Sequence, residues 1–241
     1  MLITSVDNKK IKDIVKLKQK KYRDSENKFI IETENLIKEA YIEGALEEVY
    51  ILENEKLSFD IDCPIYYVSE SVMNKIKDIK TSKYLGICAK KDSKEYIGKR
   101  YLMLDKVSDP GNLGTIIRSA VAFNIDTLIL SEDSCDAYND KTIRATEGAL
   151  FRLNIIREPL EESLNNLQKL NINIYGTDVI KGDSVNTVNK ENFCIIMGNE
   201  GSGISDKVKK RINNYIHLDT NNVESLNVAV ATSIILYELD K

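Results

Sequence analysis

Histidine and cysteine are scarce, with one histidine, His217, and four cysteines in 241 residues. Cys63, Cys88, Cys135 and Cys194 lie 25, 47 and 59 positions apart and form no CxxC pair, which excludes a zinc centre or a disulfide framework. No stretch approaches the roughly 20 uninterrupted apolar residues that a membrane helix needs. The opening MLITSVDNKKIKDIVKLKQKK places lysines where a signal peptide carries its apolar run, so the chain reads as soluble and cytoplasmic, with no membrane segment. Internal repeats and low-complexity tracts are also missing. What is present, 42% hydrophobic and 30% charged residues, is enough for one large or two modest cores and excludes disorder throughout.

The net charge of −4 argues against a nucleic-acid partner, but its distribution is uneven. Residues 1–28 carry nine basic against four acidic side chains, a local excess of +5, and it is a local basic face that attracts phosphates. Lys9, Lys16, Lys18 and Lys20 are the candidate RNA contacts. A solvated amphipathic helix with its lysines in water explains the same pattern.

The segment KKDSKEYIGKR, Lys90 to Arg100, is polar and nearly free of apolar residues and reads as a linker. It divides the chain into domains at 1–95 and 96–241. Before it, apolar β-rich runs at Phe29–Ile31, Val49–Leu52, Ile65–Val68 and Tyr84–Cys88 alternate with helical patterns at Glu34–Ile42 and Ser71–Ile79, a small α/β domain. After it, continuous apolar runs at Tyr101–Leu104, Thr127–Leu130, Leu153–Ile156, Ile172–Tyr175, Phe193–Met197 and Tyr215–Leu218 suit strands buried on both faces. Helical patterns at Leu113–Phe123, Asp140–Leu150, Leu160–Leu170, Ile204–Asn213 and Ser225–Leu239 lie between and after them. The second domain is therefore expected to be a parallel sheet with helices on both faces, its ligands bound beyond the carboxyl ends of the strands.

Five of the 11 glycines fall in two short windows, DPGNLG with Gly111 and Gly114, and GNEGSG with Gly198, Gly201 and Gly203. Each window follows a buried strand and precedes a helix. Glycine there permits a tight turn and close backbone approach while helix N-terminal N–H groups face a ligand. In the helix after the first window, Leu113, Ile116, Ile117, Ala120 and Val121 define an apolar face, and Arg118 lies off it, free to reach a ligand near the turn. A third segment, YIHLDTNNVESLNVAVA, offers Ser225 as the cap of a helix that is apolar on nearly every side from Val228 to Leu236. Such a helix belongs in a core or a subunit interface.

DPGNLGTIIRSA, IIMGNEGSGIS and VESLNVAVA, in this order and at these separations, resemble the three motifs of the SpoU family of RNA 2′-O-ribose methyltransferases, in the SPOUT superfamily. CDAYNDKTIRATEGALFRL, Cys135 to Leu153, and FIIETENLIKEA, Phe29 to Ala40, are similar to further segments of that family. The resemblance implies a C-terminal segment threaded into a deep trefoil knot, S-adenosylmethionine as the methyl donor, no metal, and a homodimer whose two subunits meet the RNA. Gly198, Ile216 and Leu226 match positions lining the donor pocket, with Leu218 in the same loop. Asn112, Arg118, Glu200, Ser225 and Asn227 match the polar positions around methyl transfer.

The donor is already activated in such a reaction, so the protein must orient a ribose hydroxyl and help to remove its proton. Arg118 matches the family's proposed base, and a phosphate clamp that polarises the hydroxyl is its other open role. The resemblance departs from the family pattern in the third motif. His217 stands where a proline shapes the loop, the glycine before Ser-Leu-Asn is missing, and one more residue precedes Ser225. Thr33 also replaces a glycine after Glu32. With an N-terminal domain, the resemblance favours ribosomal over transfer RNA. A silent RNA-binding or assembly protein on the same fold, and transfer RNA as substrate, are the alternatives.

Overall fold

The computed structural model describes residues 2–91 and 93–241; Asp92, inside the expected linker, lies outside the described residues. In chain order the elements are β1 (Leu2–Ile3), α1 (Lys9–Leu17), α2 (Lys20–Glu26), β2 (Lys28–Glu32), α3 (Glu34–Ile42), β3 (Leu46–Leu52), β4 (Ile65–Val68), α4 (Glu70–Ile76) and β5 (Tyr84–Ala89). They continue with β6 (Arg100–Leu104), α5 (Pro110–Ala122), β7 (Thr127–Leu130), α6 (Asp140–Thr146), β8 (Asn154–Arg157), α7 (Leu160–Lys169) and β9 (Asn173–Thr177). The last are β10 (Asp183–Ser184), β11 (Phe193–Met197), α8 (Asp206–Lys209), β12 (Asn214–His217) and α9 (Val228–Asp240). The chain forms two compact units, one of Met1–Lys91 with Tyr138–Phe151, the other of Asp92–Ala137 with Arg152–Lys241.

The first unit holds a five-stranded mixed sheet in the order β1-β4-β3-β5-β2. Asn8 caps α1, which buries Ile11, Ile14 and Leu17 at helical spacing and turns its lysines outward. These residues share a core with Val72, Met73 and Ile76 of α4 and with Tyr50, Leu85 and Ile87 of the sheet. Buried Arg23 donates from Nη1 to the carbonyls of Leu17 and Lys18, satisfying the open end of α1. Phe29 of β2 stacks near Tyr138 and Phe151, with ring centroids 4.8 and 6.1 Å away. This aromatic contact explains how a stretch from the later sequence joins this unit. Its expected helix, Asp140–Leu150, ends early at Thr146 because Glu147 and Gly148 both take positive φ.

The lysines of this unit are not equivalent. Lys16 pairs with Asp13 at 2.7 Å, and half-buried Lys18 bridges Asp78 at 2.8 Å and the Lys77 carbonyl at 3.2 Å. Lys9 and Lys20 stand exposed.

The second unit is a seven-stranded sheet, order β10-β12-β9-β11-β6-β7-β8, with every neighbouring pair parallel. Tyr101, Met103, Cys194 and Ile196 face one core with Leu160, Leu164 and Leu167 of α7 and Val208 of α8. The alternate residues Leu102, Leu104 and Ile195 are equally buried on the opposite side, as a period of two requires. Helices α5 and α9 pack on each other there and are joined by Ser119 and Ser233, whose hydroxyls lie 2.7 Å apart. Tyr96, inside the expected linker, is half-buried on the first of these cores and hydrogen-bonds Glu158. The helix expected over Ile204–Asn213 is only four residues long, since the chain tightens after Lys209 and delivers Ile212 to the core before β12 begins.

Thr33, at the start of α3, has φ 92° and ψ 142°, a region almost reserved for glycine, and its hydroxyl accepts only a long 3.4 Å bond from the Leu36 N–H. The adjacent Glu32 is held inward, its carboxylate accepting the N–H groups of Asp78 and Ile79 at 2.6 and 2.9 Å. Backbone strain of about 1–3 kcal/mol exceeds the few tenths lost on exchanging a threonine cap for glycine and glycine's added entropy cost of about 0.5–1 kcal/mol. Thr33→Gly should therefore stabilise the protein by about 1 kcal/mol, a rise of about 2–4 °C in thermal unfolding. A fall in Tm would show that the hydroxyl, not the strain, governs this turn.

Candidate active site

Strands β9, β11 and β12 lie side by side, and the segments leaving their carboxyl ends line one cavity of about 410 Å³. Gly198 to Ile204 follow β11, Thr177 to Val179 end β9 and its loop, and Ile216 to Leu218 lead into the loop that returns at Glu224 to Val228. This is the expected position for a ligand on a parallel sheet. Gly198, Ile216, Leu218, Leu226, Glu200, Ser225 and Asn227 are all among the lining residues. Arg118 and Asn112 are not.

The glycine window is a compact loop closed by the paired backbone bonds of Asn199 and Gly203, 3.0 Å each way. A side chain on Gly198 would place its Cβ 2.2 Å from the Gly203 carbonyl carbon and 2.3 Å from the Ile204 nitrogen, so close approach demands glycine. Asn199, which sequence reasoning missed, organises this loop. Its Oδ1 accepts the Gly201 and Ser202 N–H groups, and its Nδ2 donates to the Lys106 carbonyl at 2.8 Å. An asparagine set between Gly198 and Gly201 just past a buried strand was the available signal.

A directed chain of side-chain hydrogen bonds joins the three motifs. Asn227 Nδ2 donates to Asn112 Oδ1 at 3.0 Å, and Asn112 Nδ2 donates to Glu200 Oε1 at 3.0 Å. Glu200 Oε2 also accepts the Ser108 hydroxyl and Asn199 Nδ2, each at 3.2 Å. Because a carboxylate only accepts, Asn112 must present its amide nitrogen to Glu200 and its oxygen to Asn227. Asn227 Oδ1 is thereby left for the Ala229 and Val230 N–H groups at 2.9 and 3.3 Å. Asn227 is thus the cap of α9. Ser225, expected in that role, lies two residues too early and is exposed.

Burial pushes the Glu200 carboxyl up, but the bonds from Asn112 and from the backbone near Ser108 and Asp109 outweigh it and hold its pKa below the ordinary value. The N-terminus of α5, capped by Asp109, lies in the same network, and its dipole favours the anion.

Arg118 is exposed on the third turn of α5, off the apolar face as expected but not near the turn. Six residues separate it from Asn112, about 9 Å along the helix axis. In the loop of the altered third motif, Asn222 takes φ 63°, a left-handed backbone that asparagine adopts more readily than most residues.

The cavity mixes an apolar wall of Ile204, Leu218, Leu226 and Ile235 with Asp178, Glu224 and exposed backbone, which fits a purine joined to a polar, charged tail. Fold and pocket together define an α/β protein with a ligand site beyond the carboxyl ends of a parallel sheet. Residues 99–237 match the SpoU rRNA Methylase family, and residues 8–85 match the MRM3-like substrate binding domain. A Bacillus subtilis protein named 23S rRNA (guanosine(2553)-2′-O)-methyltransferase RlmP is 34% identical over 98% of each chain. A crystal structure of an rRNA methyltransferase from Sinorhizobium meliloti has a TM-score of 0.88 at 27% identity, covering 99% of this chain and 96% of that one. An AdoMet-bound rRNA methyltransferase structure from the same organism has a TM-score of 0.86 at 28% identity, covering 99% and 97%. The chain belongs to the SpoU rRNA methylase family.

The depressed Glu200 pKa sets a sign. Stability contributed by the carboxylate is present above its unfolded pKa, about 4.3, and is lost as pH falls through the lower folded value. Glu200→Gln turns an acceptor-only group into one whose amide faces other donors, so its melting temperature should lie below the parent's from pH 5 to 8. That difference should close below about pH 4. A difference independent of pH would mean that charge plays no part in the network.

Proposed function

We propose that this chain methylates the 2′-hydroxyl of a guanosine ribose in 23S ribosomal RNA. It is an S-adenosylmethionine-dependent RNA 2′-O-methyltransferase. The guanosine and the large-subunit RNA are our reading, supported by the full-length similarity to the Bacillus subtilis protein of that name. The observation that carries the reaction is the convergence of all three motifs on one hydrogen-bonded network beside the cavity.

Gly198, Ile216, Leu218 and Leu226 would hold the donor, by backbone and apolar contact in a pocket of suitable size and mixed polarity. The bound donor supplies a sulfonium methyl ready for displacement. Asn112, Glu200 and Asn227 would fix the loops around it, and Ser225, exposed and lining the cavity, would meet the acceptor. Arg118 would take the hydroxyl proton or clamp the neighbouring phosphate. No metal is assigned a role.

Arg118 stands apart from the cavity within one chain, which supports a second subunit completing the site. Val230, Ile234 and Tyr237 leave an apolar stripe on α9, 48%, 38% and 50% exposed, beside the α5 helix that carries Arg118. A homodimer across this stripe would bury it. The C-terminal segment, running through the glycine loop and the loop before α9, is read as the knotted region. Residues 1–95 are read as the RNA-substrate domain and 96–241 as the methyltransferase domain. No helix among the described residues is long and apolar enough to cross a membrane, and we place the protein in the cytoplasm, where ribosomal RNA is its substrate.

Ile234→Asp should give a folded monomer by light scattering, whereas Ile235 is 2% exposed and a charge there should unfold the unit. A dimer surviving Ile234→Asp would place the interface elsewhere.

Arg118→Ala should leave donor binding intact and reduce single-turnover methylation of 23S RNA by about a hundredfold or more if it serves in proton removal. In the same experiment RNA affinity separates the two roles, since clamping predicts weaker binding and the base role does not. Neutralising Lys9, Lys16, Lys18 and Lys20 together should flatten the salt dependence of RNA binding through lost phosphate contacts. The ion-paired state of Lys16 and Lys18 puts most of that effect on Lys9 and Lys20. Parental turnover by Arg118→Ala would remove the arginine from catalysis, and a parent silent on every ribosomal RNA would favour an assembly role.

A further inference from the structure

Three carboxylates and one ammonium line the cavity: Asp178 after β9, Glu200 after β11, Glu224 before α9, and Lys209 at the end of α8. The wall is therefore acidic. Glu200 is committed to the motif network, where Asn112, Ser108 and Asn199 donate to it. Glu224 is exposed, where water screens its charge. Asp178 differs from both. It is half-buried, and its Oδ1 accepts the N–H groups of Ile180 and Lys181 at 2.9 and 3.0 Å, bonds that hold its pKa below the ordinary value. Among the described residues its Oδ2 has no hydrogen-bond or ion-pair partner, and it is open to solvent rather than enclosed.

We propose that Asp178 is a specificity-determining residue that favours the sulfonium donor over its thioether product. Methyl transfer breaks the S–CH3 bond, forms an O–CH3 bond and releases the hydroxyl proton, so the sulfonium becomes a neutral thioether while the amino-acid tail keeps both its charges. Donor and product therefore differ, apart from the methyl group itself, by one unit of positive charge. Contacts to adenine, ribose and tail are common to the two and cancel in their comparison, and the field of the cavity's charges remains. The inference rests on the reading of this cavity as the donor pocket. It adds to that reading a reason for the product to leave.

The neighbouring charges do not cancel this anion. Lys209 and Lys181 act on Asp178 more weakly than the two backbone bonds do, and both lysines are exposed. Asp183, the register partner of Ile216 on β10, and Asp219 after β12 add carboxylates rather than ammonium groups to the surrounding segments. The turn made by Oδ1 also fixes where the carboxylate stands, so little side-chain freedom is lost when a cation arrives. A charge pair across a small cavity open to solvent is worth a factor of about five in affinity.

Calorimetry of the full chain at neutral pH tests the proposal with S-adenosylmethionine, S-adenosylhomocysteine and sinefungin, which carries an ammonium group in place of the sulfonium methyl. The parent should bind the two cationic ligands about fivefold or more tighter than S-adenosylhomocysteine, and the ratio should narrow as salt rises from about 0.05 to about 0.5 M. Asp178→Asn keeps an oxygen for the Ile180 and Lys181 N–H groups but removes the charge. It should weaken both cationic ligands about fivefold and leave S-adenosylhomocysteine within about twofold of the parent. Asp178→Glu keeps the charge and alters the turn, so affinities should fall together while the ratio is retained. If Asp178→Asn melts early, Asp178→Ser, whose hydroxyl also accepts from the backbone, repeats the measurement.

Three outcomes overturn the proposal: a parent that binds the three ligands alike, an asparagine variant with the parent's ratio, or equal weakening of all three ligands, which would set Asp178 against a group they share. Absence of binding of all three by the parent would instead remove the donor pocket reading, and this inference with it.

Discussion

The charge on Glu200 fixes the direction of the side-chain hydrogen bonds that join the three motifs. An anion at one end of the chain forces Asn112 and then Asn227 to point their amides one way, and the last oxygen has only the N-terminus of α9 left to accept from. Residues 88 and 115 positions apart in sequence become neighbours through these bonds. The same carboxylate receives Ser108 and Asn199, so the segments before α5, after β11 and before α9 share one anchor. An apolar residue at position 200 would leave the Asn227–Asn112 and Asn199–Lys106 bonds but remove the one anchor that all three segments share.

Most of the fold was legible because its strands are buried on both faces and read as unbroken apolar runs. Helix boundaries were less so. Ser225 and Asn227 are both good caps by residue type, and only the packing of Val228 and Ala229 into the core decides that α9 starts after the asparagine. The stretch Tyr138–Phe151 carries helical periodicity that says nothing of which core it serves, and the Phe29 ring settles that through contacts more than 100 residues away. Tyr96 was hidden for the opposite reason. A lone aromatic in a charged segment has no periodic company, although it packs on the sheet.

Within the site, glycine clustering located the loops, but the bonds that shape them belong to asparagines. Asn199 braces the glycine window with three bonds from its own amide to nearby backbone groups, and Asn222 supplies positive φ in a loop that lacks glycine. Asparagine reaches left-handed backbone at modest cost and carries a group that can bond its own chain. That explains how this third motif departs from the family's pattern while Leu226 and Asn227 still reach the cavity. Thr33 shows the contrasting case, a departure from glycine in which the replacement has no comparable means of relieving the strain.

Helix α5 connects the two tasks that methyl transfer divides. Its first turn is locked into the network by the Asp109 cap and the Asn112 bridge, and its apolar face of Leu113, Ile116, Ile117 and Ala120 is fully buried. A helix held at both its end and its side cannot rotate, so Arg118 is carried at a fixed height and azimuth although it touches none of the network itself. The arginine can therefore be exposed and still be placed. In the proposed dimer its position would be set by two rigid connections, the α5 helix on its own subunit and the α9 stripe against the other. The donor loops would remain entirely within one chain. Such a division lets the pocket form before RNA arrives and leaves only the arginine's side chain to be ordered by the acceptor.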